Sequence, residues 1–486
     1  MNSRFDLFSI YACTLNLAAI VKDRNNVEEA INLYKTIRRK ESSELIYAYA
    51  QIELGNIYAK TSNVKALKYF YKVKIGDDLK TYTDAQYKIS MLSNDIQECL
   101  DALDCIPEYS DFYSYAKYYL KIFKKINGLE DLNNKSIILK FAQNISDIME
   151  ELFISSDYEK SIAHYTNLTV SKLLLATSRN YSSGIYEQKL CLRLNTINLM
   201  NDPEEGLLVN DLLYLNNKIK TQDLAFISCF TLHHDSLNQF RLYSKEFQQE
   251  AFGVSLILGK NFFAKKHDTS SLYKDTKEGL DINLKNKESS LSSGITELPL
   301  YRCIYFDPTS GLMKVAQREE WSFRREFKLK NKCKWFDSNE GADRKWEDYK
   351  MKIDSIENSI KIKMKNLTNF IEYLNTKEMD SYSGKLLAEI LLPLRYLIKN
   401  MAFKEEQECR IVYVTQMDNP LIQYDEKINR IYIDYAPSVM EHLEKIYIAP
   451  KAKDEKMVFE YLCSRGQEIR KGKEAVKVKI SQNPFR

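Results

Sequence analysis

Hydrophobic positions in the first third of the chain recur at intervals of three and four residues, which places them on one face of a helix. A small residue followed at +4 and +7 by larger apolar residues occurs three times, as Ala30-Tyr34-Ile37, Ala66-Phe70-Val73 and Cys99-Leu103-Ile106. The first residues of the three copies are 36 and 33 positions apart. Because a small residue lets a neighbouring helix approach closely, this pattern predicts stacked helix pairs with a period of about 34 residues.

Two further features complete the pattern. Leu54-Gly55-x2-Tyr58 precedes the second copy, and Pro107 follows the third. Residues 5–110 therefore resemble a tetratricopeptide repeat, although this segment lacks the tryptophan usual in that family. Amphipathic segments at 112–126 and 136–153 extend the predicted stack. The resemblance implies an N-terminal α-helical tetratricopeptide-like solenoid over residues 1–155, whose concave surface binds a protein partner. A generic helical bundle is the alternative interpretation.

After residue 155 the hydrophobic period changes from that of a helix to the alternation typical of half-buried strands. Predicted strands lie at 190–194, 224–230, 253–258, 301–306, 410–414, 431–435, 445–448 and 476–480. Helical periodicity at 356–374 and an apolar run at 386–400 predict a helical insertion over 340–400. Residues 265–294 are polar and aperiodic, which predicts a flexible loop. The pattern predicts a mixed α+β domain over residues 156–486.

Composition and charge narrow the class of protein. The 44% of hydrophobic residues, with 14 Gly and 9 Pro in 486 residues, is typical of a folded chain. A net charge of +4 is too small for binding nucleic acid through bulk charge. The nine cysteines form no CxxC pair, which argues against a disulfide framework or structural zinc and favours a cytoplasmic protein. No apolar run is long and uncharged enough to span a bilayer, so no membrane association is predicted.

Six blocks of the C-terminal half occur in a fixed order. They are HYT at 164–166, LRLNTINLMNDPEEG at 192–206, ISCFT with LNQFRLY at 227–243, LYRCIYFDP at 300–308, LLPLRYLIKNMAFKEEQECRIVY at 391–413 and SQNPFR at 481–486. Together they resemble a widespread bacterial domain of unknown function that often follows tetratricopeptide repeats. The order of the blocks is also similar, more distantly, to that of ADP-ribosyltransferase-like enzymes.

The more distant resemblance implies an enzyme that uses NAD as a substrate, without a metal. Glu406 and Glu408 would be catalytic carboxylates, and residues i and i+2 of one strand would face the same cleft. Such a carboxylate can bind a ribose hydroxyl and stabilise an oxocarbenium-like transition state. His164 would hydrogen-bond the adenosine ribose, and Tyr243 would be catalytic by stacking on nicotinamide. Structural alternatives are a hydrogen-bonded buried His164, a core Tyr243, an ion pair of Glu408 with Arg410, and a solvated Glu406.

Four more residues are candidates for binding NAD. Thr166 belongs to the same block as the histidine candidate, and Arg241 has the bidentate form of a phosphate or carboxylate clamp. Asn201 and Asp202 stand at the centre of the NDP motif. Arg241 is equally plausible as a structural ion-pair partner, and the NDP motif is also a good turn signal.

Two other segments suggest different chemistry. His233-His234-Asp235 is a conspicuous cluster, but no third ligand follows at a fixed spacing, so no metal site is predicted. Residues 314–335 carry an excess of five positive charges interleaved with aromatic residues. This basic-aromatic strip would suit contacts with RNA or DNA, or else it is a solvated helix face whose aromatic residues enter the core.

A helical-repeat module followed by an effector domain resembles bacterial stress or anti-phage defence proteins. The sequence therefore predicts an effector in which the repeat module senses or docks a protein partner. The C-terminal domain would perform ADP-ribosyl transfer or NAD glycohydrolysis. The alternatives are a noncatalytic adaptor or scaffold protein, and a nucleic-acid-binding protein that uses the basic-aromatic strip.

Overall fold

The protein has mixed α and β structure. The computed structural model describes residues 2–24, 26–108, 110, 113–154, 158–179, 186–188, 190–197, 206–213, 224–246, 248–264, 294–295, 297–331, 340–376, 381–415, 417–470 and 472–484. These ranges form two compact units. The helical unit lies within residues 1–146 together with 380–390, and the α+β unit lies within 147–266, 271–379 and 391–486.

Helices alone make up the N-terminal part of the chain. Within the described residues they are α1 (Asn2–Asp23), α2 (Val27–Thr36), α3 (Glu44–Ala59), α4 (Asn63–Phe70), α5 (Leu79–Leu92), α6 (Ile96–Asp104), α7 (Tyr113–Asn127) and α8 (Leu132–Leu152). A polar side chain accepts a hydrogen bond from a first-turn N–H at the start of α2 to α6, at Asn26, Ser43, Ser62, Asp78 and Asp95. Such caps satisfy backbone donors that a helix start leaves unpaired, and they explain why helices begin at these positions.

The threefold hydrophobic pattern forms the interior of the helical unit. All nine of its residues are buried, from Ala30 to Ile106. Consecutive helices pack as pairs, α1 with α2, α3 with α4 and α5 with α6. Gly55 of α3 lies directly against the ring of Phe70 in α4, where a Cβ atom would overlap the ring. The absence of a side chain at Gly55 therefore sets how closely these two helices approach.

The C-terminal part alternates strands with helices. The strands within the described residues are β1 (Ser161–Asn167), β2 (Thr177–Arg179), β3 (Tyr186–Gln188), β4 (Leu192–Thr196), β5 (Leu224–Thr231), β6 (Gly253–Gly259), β7 (Tyr301–Arg302), β8 (Ile304–Phe306), β9 (Met313–Val315), β10 (Ile398–Asn400), β11 (Glu408–Thr415), β12 (Gln423–Asp425), β13 (Arg430–Tyr435), β14 (Leu443–Ile448) and β15 (Lys477–Ile480). The helices are α9 (Leu168–Leu175), α10 (Leu208–Leu212), α11 (Leu237–Tyr243), α12 (Glu320–Asn331), α13 (Glu340–Thr376), α14 (Ser381–Arg395), α15 (Val439–His442) and α16 (Lys456–Arg465).

Ten of these strands form one sheet. Eight follow the order β12-β13-β4-β5-β1-β6-β14-β15, and β11 pairs with both β5 and β7 outside that path. All pairs in the sheet are antiparallel except β14 with β15. Strands β10, β8 and β9 form a separate three-stranded sheet. The larger core cluster lies against one face of the large sheet and includes Ile162, Phe230 and Ile411. A smaller buried cluster, with Tyr165 and Ile257, occupies alternate strand positions.

The prediction of a helix over the apolar run 386–400 is wrong for the last residues of that run. Helix α14 ends at Arg395, and residues 398–400 form β10, which pairs in parallel with β8. Pro393 already lies inside the last turns of α14 and removes a backbone donor there. The predicted loop at 265–294 lies outside the described residues except for Gly294.

Among the residues that the structure describes, no helix is long and apolar enough to cross a membrane.

Candidate functional site

A large cavity opens in the α+β unit where β5 exchanges one neighbour for another. One edge of β5 pairs with β11 along its whole length, from Leu224 to Thr231. The other edge pairs first with β4, at Phe226 and Ile227, and then with β1 at Thr231. Strands β4 and β1 therefore diverge beside the middle of β5. Residues of all three strands line a cavity of about 720 Å³, a size that suits a small-molecule ligand.

Four charged side chains line this cavity and contact one another. We call them the acid network, and they are Lys399, Glu406, Glu408 and Arg410. Lys399 Nζ donates to Glu406 Oε2 over 2.6 Å and also to Glu408 Oε2. Arg410 donates to both oxygens of Glu408, with Nε–Oε1 at 2.7 Å and Nη2–Oε2 at 3.2 Å. Its third nitrogen donates to the Tyr396 carbonyl over 2.8 Å. All four side chains are buried, so two carboxylates are compensated by two cations away from water.

The two glutamates do not share a strand, which corrects the sequence prediction. Glu406 ends a 3-10 turn (Met401–Glu406), and only Glu408 belongs to β11. Between them Gln407 has a left-handed backbone with φ of 46°, an unusual conformation for a residue with a side chain. Its amide nitrogen donates to the Lys404 carbonyl over 2.9 Å, and its amide oxygen accepts from Gln317 N over 2.6 Å. This anchored turn, rather than strand alternation, brings both carboxylates to one ammonium group.

The acid network displaces the two carboxyl pKa values in opposite directions. Burial raises the pKa of Glu406, and the charge of Glu408 adds to this rise, although Lys399 opposes it. Burial alone would also raise the pKa of Glu408, but the charges of Arg410 and Lys399 outweigh it and hold that pKa well below its usual range. Two neighbouring carboxyl groups with opposed shifts are typical of sites that assign different proton-transfer roles to each.

Tyr243 joins the acid network from the last position of α11. Its hydroxyl donates to Glu406 Oε1, while Oε2 of the same carboxylate accepts from Lys399. Burial and the charge of Glu406 raise the pKa of Tyr243, so the phenol remains a hydrogen-bond donor. The carboxylate of Glu406 is therefore held from two sides.

His164 and Thr166 line the cavity from β1. Because a carbonyl oxygen only accepts, Nδ1–H of His164 must donate to the Cys229 carbonyl, over 3.0 Å. This bond joins β1 to β5 beside the cavity. Burial lowers the pKa of His164, which favours the neutral imidazole. In that state Nε2 carries a free lone pair and acts as an acceptor.

The rest of the cavity wall differs in character from the acid network. It is apolar along α9 and α11, with Leu173, Leu174 and Leu242, and it carries the cations Arg193, Lys245 and Arg430. Arg193 donates to Asp425 over 2.8 Å, and its guanidinium lies 3.8 Å from the ring centre of Tyr432. These contacts fix the plane of the Arg193 guanidinium.

Of the three other residues predicted to bind NAD, the structure describes one, Arg241. Arg241 forms an exposed ion pair with Glu250 over 3.0 Å and does not line the cavity, which agrees with its structural alternative. Asn201 and Asp202 lie outside the described residues. The structure thus brings together His164, Thr166, Tyr243, Glu406 and Glu408.

The histidine cluster has structural contacts. His234 Nε2 donates to the Ser161 carbonyl over 2.9 Å, and Asp235 accepts from Asn483 Nδ2 over 3.0 Å. Within the described ranges, no group of three or more His, Cys, Asp or Glu side chains is arranged to hold a metal ion.

The cations of the basic-aromatic strip whose side chains the structure describes all form ion pairs. The pairs are Lys314–Glu357, Arg318–Glu326, Arg324 with Glu320 and Asp343, and Arg325–Asp235. Phe323 is buried against Trp346 and Tyr349, whereas Trp321 is 51% exposed. Nearby carboxylates therefore offset part of the positive charge that the sequence displays.

The sequence did not indicate Lys399. It lay inside a run predicted to be helical, and only its isolation among apolar residues signalled that a buried partner was needed.

Comparison with protein-family models finds no matching family, and comparisons with curated proteins and with solved structures find no significant match.

Proposed function

We propose that the α+β unit binds NAD in this cavity and cleaves the bond between nicotinamide and ribose, in ADP-ribosyl transfer or glycohydrolysis. One observation carries the proposal. His164, Tyr243, Glu406 and Glu408, which the resemblance assigned to one site, line the same cavity, and the two carboxyl groups have opposed pKa shifts.

The hydrogen bonds favour Glu406 as the carboxylate that faces the substrate. Its oxygens accept from Tyr243 and Lys399, which leaves lone pairs for a ribose hydroxyl. Glu408 accepts three hydrogen bonds from Arg410 and Lys399 and is fixed by them. Glu408 is therefore a positioning residue, and Glu406 is the candidate catalytic residue.

The proposed reaction needs only NAD, a nucleophile and the carboxylate of Glu406. The C–N bond breaks with its electron pair moving to the nicotinamide nitrogen, which leaves as neutral nicotinamide. The ionised Glu406 stabilises the ribose oxocarbenium that forms. Water or a hydroxyl or amine of a target then forms the new bond to the ribose carbon, and its proton passes to Glu406 and on to solvent.

The remaining wall suits the rest of a dinucleotide. Neutral His164 can accept from a ribose hydroxyl through Nε2, and Thr166 lies two residues further along the same face of β1. The ring of Tyr243 is available to stack on a planar base. Arg430 carries positive charge for a pyrophosphate, and Arg193 and Lys245 could add to it by exchanging their present carboxylate partners, Asp425 and Glu250. The leucines of α9 and α11 match adenine.

The experiment measures NAD turnover by the full chain, and the released nicotinamide is the quantity that is monitored. We expect Glu406→Gln to lower kcat by about 100- to 1000-fold, since it removes the charge that stabilises the transition state. Glu405→Gln is the matched control, because Glu405 is exposed and does not line the cavity. Wild-type protein that releases no nicotinamide, or full activity in Glu406→Gln, would overturn the proposal.

The helical unit supports the second half of the proposal, a tetratricopeptide-like module that senses or docks a protein partner. Buried pattern residues at a spacing of 36 and 33, paired helices and the close contact at Gly55 all suit stacked helix pairs. In this arrangement the protein is a stress or anti-phage defence effector. In cells, NAD loss during phage infection should occur with wild type and Glu405→Gln but not with Glu406→Gln. NAD binding without turnover would instead favour the noncatalytic adaptor.

A further inference from the structure

We infer that Lys399 is a positioning residue that keeps Glu406 ionised for catalysis, an inference that rests on the proposed function. Lys399 is 4% exposed, and its ammonium group donates to both carboxylates at once. An ammonium group has three donors and no acceptor, so each of these bonds stabilises the ionised form of the carboxylate.

The fold holds the lysine in place from several sides. Strand β10 pairs in parallel with β8, which sets Lys399 opposite Tyr305. The Tyr305 hydroxyl accepts from Glu408 N over 2.7 Å, so the same pair of strands also fixes the start of β11. The ammonium lies 5.1 Å from the ring centre of Phe403. Lys399 is therefore positioned by backbone pairing and packing as well as by the carboxylates it contacts.

The two carboxylates depend on Lys399 to different degrees. Glu408 has Arg410 as a second cationic partner, with two hydrogen bonds. Glu406 accepts from one cation, Lys399, and from one neutral donor, Tyr243, among the described side chains. Loss of the ammonium therefore leaves Glu408 paired, while Glu406 gains a proton more readily in a buried site.

Other titratable groups also face the acid network. They are Tyr243 of α11, Cys229 of β5, Tyr305 of β8, and Cys303, which directly precedes β8. Burial raises the pKa of both Cys229 and Tyr305, so these two stay neutral near neutral pH. Among the charges that act on Glu406 are those of Lys399 and Glu408.

The test is the pH profile of kcat/KM for NAD in Lys399→Met and Lys399→Arg. Removing an opposite charge at hydrogen-bond distance raises a carboxyl pKa by about 1 to 3 pH units. The acidic limb should therefore move up by that amount in Lys399→Met and stay near wild type in Lys399→Arg. Lys404→Met is the control, because Lys404 belongs to the same 3-10 turn but does not line the cavity.

The inference would be overturned if the acidic limb of the pH profile stays in place in folded Lys399→Met, or if it moves equally in Lys399→Arg. An infrared titration of the protonated carboxyl band separates this result from failure of the proposed function, because it needs no turnover. The band that is lost in Glu406→Gln should appear at higher pH in Lys399→Met than in wild type. If Lys399→Met does not fold, the same titration is made with Lys399→Gln, which keeps a hydrogen-bond donor but carries no charge. The Glu406 band must again appear at higher pH than in wild type, and an unmoved band contradicts the inference.

Discussion

Arg410 is buried to 1% exposure, and all of its described bonds lie inside the protein. We expect Arg410→Met to lower the free energy of unfolding by about 3–5 kcal/mol, because one buried charge of Glu408 loses its bidentate partner. Arg241→Met is the matched control, since its pair with Glu250 is exposed on both sides and contributes little. Calorimetric unfolding of both variants checks this, and equal effects would contradict the assigned difference between the two arginines.

The glutamates illustrate what a residue pattern can and cannot predict. The EEQE sequence drew attention to Glu406 and Glu408, which line one cavity in the structure, but the reason given for their proximity was a shared strand. The left-handed Gln407 replaces that strand geometry, and nothing in a glutamine signals φ of 46°. Its conformation depends on bonds to Lys404 and Gln317, and the second of these is 90 residues away in sequence.

The packing of α3 on α4 depends on one position. In Gly55→Ala the new methyl group would overlap the ring of Phe70, which is fully buried. We expect a loss of about 1–3 kcal/mol in the stability of the helical unit, despite the better helix propensity of alanine.

Gly384 offers the matched control for this substitution. It lies within α14, and a Cβ atom there meets nothing within 4 Å, so Gly384→Ala should be neutral or stabilising by about 0.5–1 kcal/mol. Thermal unfolding of the two variants gives the comparison. An unchanged melting temperature in Gly55→Ala would show that the two helices do not need this close approach.

The hydrophobic periodicity of the sequence was enough to locate the elements that have strong local patterns. The structure has strands within or overlapping all eight predicted segments. Burial alternates along β4, whereas β6 and β11 are buried at almost every position and match a short continuous apolar run instead. Strand β10 is only three residues long and follows an apolar helix, so its sequence shows no alternation. Its partner β8 lies more than 90 residues earlier, and such pairing is not visible in a local pattern. Lys399 was missed for this reason.

The response of the protein to acid depends on histidines buried in the α+β unit. Burial lowers the pKa of His233, aided by the charges of His234 and Arg318, to about 4, and burial lowers that of His234 to about 4. The pKa of His164 is lowered in the same way. An unfolded chain protonates histidine near 6.5, so between 6.5 and about 4 the unfolded state binds more protons, and stability falls as the pH falls.

We therefore expect a lower melting temperature at about pH 5 than at about pH 7. Glu406 and Asp235 act in the opposite direction, because their raised pKa values let the folded state bind a proton first, but they are two groups against three histidines. The depressed pKa of Glu408 removes stability as the pH falls below the ordinary carboxyl pKa of 4.5. His234→Gln should flatten the pH dependence, since an amide can still donate to the Ser161 carbonyl but takes up no proton. A melting temperature that rises toward pH 5, or that changes equally with and without His234, would show that carboxylates rather than histidines govern acid stability.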